Sequence, residues 1–143
     1  MKAKVVQDAD VVTYVVMCDP GDEAVAALTQ FARAEGLEAS QVTAVGAFER
    51  AIVGWFDRTA RQFRHIPVDE PSEVLSLIGD VAEDQDGPGL NIHVVLGLSD
   101  GTTRGGHLKE GHVRPTLELV LTEYPRHLER KPDPASGLAL IRV

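Results

Sequence analysis

Short, turn-like links between strand-like runs constrain this chain more than any other feature. Two strands joined by a few residues pair antiparallel, because a parallel neighbour needs a crossover of a dozen or more. The clearest instance is residues 90–98 followed by 102–108, with Ser99-Asp100-Gly101 between them. An Asp-Gly dipeptide between two runs of β-branched and aliphatic residues signals a hairpin. Further strand-like runs lie at 11–18, 41–48, 51–56, 62–66, 73–81, 116–122 and 138–142. A change of period interrupts them once. Val25, Leu28, Phe31 and Ala32 recur at helical spacing, Asp22 is a plausible N-cap, and Gly36 stands where a C-terminal cap belongs. This predicts a helix over 23–35. The pattern as a whole predicts an α+β fold, mainly antiparallel sheet with one main amphipathic helix and few short ones. Residues 83–89 read as an acidic, turn-rich loop, and 126–136 as a polar stretch without a core pattern.

The chain has 143 residues, the size of one ordinary domain, so a single domain over 1–143 is expected. No apolar run approaches the roughly 18 residues of a membrane span, and the N-terminus has no signal-peptide layout. Cys18, the sole cysteine, fits a reducing compartment. A cytoplasmic location away from membranes is the resulting expectation. Lys and Arg number 14 against 22 carboxylates, a net charge of −8. Duplex binding requires phosphates to be neutralised, so nucleic acid is a disfavoured partner. Arg58, Arg61, Arg64 and His65, and again Arg126, His127, Arg130 and Lys131, form local basic clusters that read as solvated charge.

The hairpin carries the most specific chemistry, because each of its strands bears one histidine, His93 and His107. Loop length decides whether they meet. A two-residue loop of Asp100 and Gly101 sets His93 opposite Leu108 and puts the imidazoles on opposite faces. A three-residue loop, with Gly101 left-handed, sets His93 opposite His107. Directly paired residues have Cβ atoms about 4.5–5.5 Å apart, close enough for two ring nitrogens to share a metal ion at about 2.0–2.1 Å. Asn91 shares the face of His93, and Gly105 and Gly106 leave room for a close approach of ligand or backbone. The alternative is a pair of imidazoles hydrogen-bonded in a partly buried pocket without metal. Cys18 closes an apolar run and reads as a core residue. Glu73, Glu118 and Asp57 become general acids or bases only if the fold brings them to the histidines.

Taken together, these residues resemble the PPC (plants and prokaryotes conserved) domain. The resemblance is carried by Pro20-Gly21-Asp22-Glu23, Phe31-Ala32, Val45-Gly46-Ala47-Phe48, Ala51, Gly54 and Phe56-Asp57. It continues through residues 73–77, Asp86-Gly87-Pro88, Ile92-His93, Asp100-Gly101, Gly105-Gly106-His107-Leu108, Glu110-Gly111 and Thr116-Leu117-Glu118, and then through Arg130, Asp133 and Ser136-Gly137-Leu138. It implies an antiparallel α+β fold assembled as a homotrimer. It also implies kinship in fold with α-acetolactate decarboxylase, a zinc enzyme with histidine ligands. Prokaryotic members often carry His-x-His followed by Gly-Gly-His-Leu, which points to an equivalent metal pocket. Here Asn91 stands at the first position of that pair, leaving His93 and His107 as the matched ligands. His112, just past Glu110-Gly111, is the further histidine in reach along the chain.

The expectation is thus a homotrimer with a pocket lined by Asn91, His93, His107, Gly105 and Gly106, holding zinc or a small ligand, with His112 as an added metal ligand. No reaction follows from the sequence. The second reading is a DNA-associated regulatory role, as in the plant relatives, whose Arg-Gly-Arg-Pro AT-hook this chain lacks. A third is a structural trimer without small-molecule chemistry.

Overall fold

The computed structural model describes residues 1–8, 11–125 and 128–142. Its elements run β1 (Lys2–Asp8), β2 (Val12–Cys18), α1 (Ala24–Glu35), β3 (Ala39–Asp57), β4 (Gln62–Val68), β5 (Ser72–Asp84), β6 (Gly87–Gly97), β7 (Thr103–Glu123), β8 (Glu129–Asp133) and β9 (Leu138–Arg142). The α+β prediction holds in its broad form: one sheet contains every strand, and its pairings are antiparallel except a single parallel bridge between β5 and β8. No second helix occurs among the described residues.

The helix lies where its periodicity put it, with a different cap. Glu23 rather than Asp22 is the N-cap, its carboxylate accepting from the Val25 and Ala26 amides at 3.1 and 2.8 Å. Asp22 is occupied elsewhere. Its carboxylate accepts from the Asp19 amide, and its carbonyl from the Val113 amide. Gly36 closes the helix at φ 64° in the left-handed region, as its position predicted.

Two long strands replace four short ones. The runs at 41–48 and 51–56 are both part of β3, and those at 102–108 and 116–122 are both part of β7. The charged, Gly and Pro residues that look like breaks lie at register shifts between β3 and β7, near Phe48, Arg50 and Val53, where bulges bend the pair without ending it. The expected loop at 83–89 is also mostly strand, because β5 runs to Asp84 and β6 starts at Gly87, whose φ of 103° suits glycine. β1, and β8 within the supposedly featureless stretch, have no sequence counterpart. Arg126 and His127 lie outside the described residues.

β3, β5, β6 and β7 each pair with the next, and β7 pairs back with β3, closing a ring of strands. Period-two alternation decides what fills it. Ile92, Val94 and Leu96 of β6 and Leu117, Leu119 and Leu121 of β7 are buried with Phe48, Leu77 and Val42, and α1 adds Leu28 and Phe31. The alternate positions, including Asn91, His93 and Val95, face away from that core. Cys18 is buried within it, and burial pushes its thiol up to about 11, so it is inert at neutral pH.

Candidate ligand and metal site

The turn between β6 and β7 selects the three-residue loop. Leu98 and Thr102 close it through the Leu98 amide and Thr102 carbonyl at 2.9 Å, the Gly101 amide donates to the Leu98 carbonyl at 2.9 Å, and Gly101 sits at φ 82°. The Asp100 carboxylate accepts from the Thr102 amide and hydroxyl at 2.9 and 2.6 Å, which holds its carboxyl below the usual range. The register follows from the loop. His93 pairs directly with His107, and the ring centroids are 4.0 Å apart with planes tilted by 45°.

The surroundings of the pair are aromatic and cationic. Phe63 of β4 meets His107 edge-on at 4.8 Å, and Phe56 meets Phe63 at 5.2 Å. The Lys109 ammonium rests over the Phe63 ring, 3.3 Å from its centroid. Glycines permit this crowding. A Cβ on Gly54 would lie 2.7 Å from Lys109 Cε and 3.0 Å from Phe63 Cδ1, and one on Gly106 would lie 2.6 Å from the Gly54 carbonyl. Gly106 and Gly105 therefore serve close backbone approach, Gly105 against the Val94 carbonyl.

The pair opens onto a pocket of about 380 Å³, lined by Asn91, Lys109, Phe63, Arg130 and the β9 residues Leu138–Leu140 among others. Asn91 keeps its predicted place on the face of His93 and donates to Asp80 Oδ2 at 3.4 Å. Asp80 pairs with Arg130, whose other guanidinium nitrogen donates to the Gly89 carbonyl at 2.9 Å. The β8–β9 hairpin thus supplies one wall of the pocket. Phe63 and Lys109 had no site reading in the sequence, and Arg130, expected as solvated charge, is instead buried at 7% exposure against Asp80. Only Lys109 left a local signal, two residues past His107 on the same strand.

The structure does not bring His112 to this pocket. Its Nε2 contacts Glu110 Oε1 at 2.5 Å and Arg50 at 2.9 Å, and its backbone bridges to Glu23. His65, Arg58, Arg61 and Arg64 are exposed on the β3–β4 hairpin, and Glu73, Glu118 and Asp57 do not line the pocket. Zinc is ordinarily held by three or four protein ligands. Among the described residues no group of three His, Cys, Asp or Glu side chains could hold a metal ion. One chain therefore offers two imidazole ligands, and any remaining position would fall to a bound molecule or a neighbouring chain.

Burial, followed by the neighbouring charges of His93 and Lys109, pushes His107 down from about 6.5 to about 4. Its imidazole is neutral at pH 7, with a lone pair available to a metal. A depressed pKa means that between these values the unfolded chain holds the extra proton, so stability falls with falling pH. We expect the contribution of neutral His107 to be complete above about pH 6.5 and lost on the way down to about pH 4. Urea unfolding of metal-free protein at pH 7 and 4.5 tests this against His107→Gln, which should lose less stability over that interval. Equal losses would show that His107 titrates alike in both states.

The family model of the Plants and Prokaryotes Conserved (PCC) domain matches residues 7–125. Over 127 residues, 87% of the chain, it is 32% identical to the bifunctional protein GlmU of a Synechococcus strain, and it spans only 19% of that protein's length. Among solved structures, a plant- and prokaryote-conserved protein from Pyrococcus horikoshii is similar at a TM-score of 0.86 and 30% identity, over 99% of this chain and 95% of its own. A metal-containing protein from Archaeoglobus fulgidus is similar at 0.85 and 29% identity, over 99% and 97%. A Staphylococcus aureus protein of unknown function, described as similar to alpha-acetolactate decarboxylase, shares the fold at 0.58 and 14% identity, over 85% and 53%.

Proposed function

The chain belongs to the Plants and Prokaryotes Conserved domain family, and from that premise we propose a homotrimeric protein whose His93–His107 pocket binds a small ligand, with zinc as its metal where one is bound. The direct pairing of the two imidazoles in the wall of a pocket with mixed polar and apolar lining carries this reading. A metal-containing relative from Archaeoglobus fulgidus adds support for the metal. Within one chain His93 and His107 would hold the ion, and the metal would supply Lewis acidity toward an oxygen of the ligand. Asn91, oriented by Asp80, offers an amide to orient that ligand from the same face.

The trimer reading draws on the uncovered side of the sheet. Met17, Val45, Ile78, Val95 and Val120 are 41–58% exposed on β2, β3, β5, β6 and β7. Val120 lies beside Val15 and Thr43, and Thr43 beside Ile78, so these positions run across adjacent strands. Exposed apolar residues grouped in this way suit burial against further copies of the chain.

Metal analysis of untagged protein by mass spectrometry, with light scattering for mass, tests both parts. The expected results are stoichiometric zinc, lost in His93→Ala and His107→Ala, and a mass three times that of one chain. Wild-type protein that stays metal-free after zinc incubation and dialysis would remove the metal, and a monomeric mass would remove the trimer. Duplex binding draws support from the exposed Arg58, Arg61 and Arg64 on the β3–β4 hairpin, and a Bacteroides thetaiotaomicron protein that shares the fold is described as a putative DNA binding protein. It weighs less against a net charge of −8.

A further inference from the structure

We propose that Lys109 anchors an oxyanion subsite beside the histidine pair, and that the molecule taken by this pocket is a small carboxylate. The inference rests on the reading of the His93–His107 pocket as a ligand site and names the class of that ligand.

Lys109 is the extra residue of a bulge. Leu108 pairs with Val53 and Glu110 with Ile52, which leaves Lys109 without a partner in the ladder. Bulges are enriched beside functional sites because they re-aim a side chain. Here the stem crosses Gly54, where a Cβ would meet Lys109 Cε at 2.7 Å, and the ammonium lies over Phe63 on the pocket wall. Among the described residues Lys109 forms no ion pair. That is unusual placement for a half-buried cation in a chain with an excess of carboxylates. An aromatic face accommodates one side of an ammonium, which has three protons to donate.

The other charges in the pocket are already assigned. Arg130 is spent on Asp80 and the Gly89 carbonyl. Asp84, exposed at the rim, accepts from the Gln85 amide. Lys109 is therefore the one lining cation without a carboxylate partner among the described residues, and a single positive charge matches a monoanion. A carboxylate offers two oxygens, one for the Lys109 ammonium and one for the imidazole edge or the metal it holds. A phosphate dianion would bring a second charge with Asp84 on the same wall to repel it, while Arg58 lines only the adjoining cavity that shares His93 and His107.

The test is titration of isotopically labelled protein with acetate and pyruvate at constant ionic strength, reading the side-chain NMR signals of Lys109, His93 and His107. Saturable shifts of all three are expected with both acids and not with acetamide, the neutral isostere. Lys109→Met should weaken carboxylate binding about tenfold or more, the loss expected for one charge-assisted hydrogen bond, and Lys109→Arg should restore most of it. Unchanged binding in Lys109→Met, equal binding of acetamide, or tighter binding of inorganic phosphate would overturn the proposal. A parallel zinc titration separates the two levels. Histidine signals that respond to zinc while no carboxylate binds would sink this inference and leave the pocket reading intact, and silence toward both would remove the pocket reading as well.

Discussion

Asp80→Asn is expected to lower the unfolding free energy by about 3 kcal/mol and to release β8 and β9 before the rest of the sheet. The Arg130 side chain is only 7% exposed, and its guanidinium is held between Asp80 and the Gly89 carbonyl. Removing the carboxylate charge leaves a buried cation uncompensated, a change that costs about 3–5 kcal/mol in typical buried pairs. Asp80 is itself 30% exposed, which places the expectation at the lower end. Among the described residues, few other contacts tie the β8–β9 segment to the main sheet: one parallel bridge between Glu83 and Glu129, the Leu128 carbonyl and amide bonded to the Glu83 amide and the Glu38 carbonyl, and Arg61 donating to the Ala135 carbonyl. Hydrogen exchange should therefore accelerate first over residues 129–142, and the pocket wall at 138–140 should loosen with it. Replacing both partners, Asp80→Leu with Arg130→Met, should cost much less than the single change because no charge is stranded. A single-variant loss under about 1 kcal/mol would show that this ion pair does not hold the hairpin in place.

Phe48→Ala should be more damaging still, about 3–5 kcal/mol, with a fall in melting temperature of roughly 10 °C or more. Phe48 is fully buried where β3 passes between β5 and β7, paired with Ser72 on one side and Val113 on the other. Its ring lies so close to Gly111 that a Cβ there would approach Cζ to 2.7 Å. Alanine at 48 leaves a ring-sized void that the two register shifts flanking Phe48 make hard to close, since the bulged backbone is already fixed by its pairing. Gly111→Ala approaches the same contact from the opposite side and should also destabilise, by overpacking rather than by a cavity. Thermal and urea unfolding of both variants would decide the point. A loss near 1 kcal/mol for Phe48→Ala would mean that neighbouring side chains collapse into the space.

Much of the candidate site was legible because its chemistry depends on local rules. Once a three-residue loop was allowed, the pairing of His93 with His107 was arithmetic on a hairpin, and Asn91 followed from alternation along one strand. The same arithmetic could not choose between two loop lengths. That choice was made by hydrogen bonds around Asp100, Gly101 and Thr102, and by the need to bury Ile92, Val94 and Leu96 together. Phe63, Lys109 and Arg130 were not legible. They reach the pocket from β4, from a bulge and from β8, and no spacing in sequence encodes those meetings. His112 shows the converse: it is close to His107 along the chain, yet Glu110 and Arg50 hold it elsewhere.

The sequence by itself determined the helix, its glycine cap, the antiparallel character of the sheet and the family. Each rests on periodicity, turn chemistry or an ordered set of residues within short stretches of chain. Only the tertiary structure decided that four strand-like runs are two long bent strands, because a bulge looks like a break until a partner strand continues past it. Only it decided that residues 129–142 form a hairpin against the pocket. Residues 129–136 have no apolar period of their own, and one buried arginine fixes the hairpin by finding its carboxylate on a strand 50 residues earlier, Asp80 to Arg130.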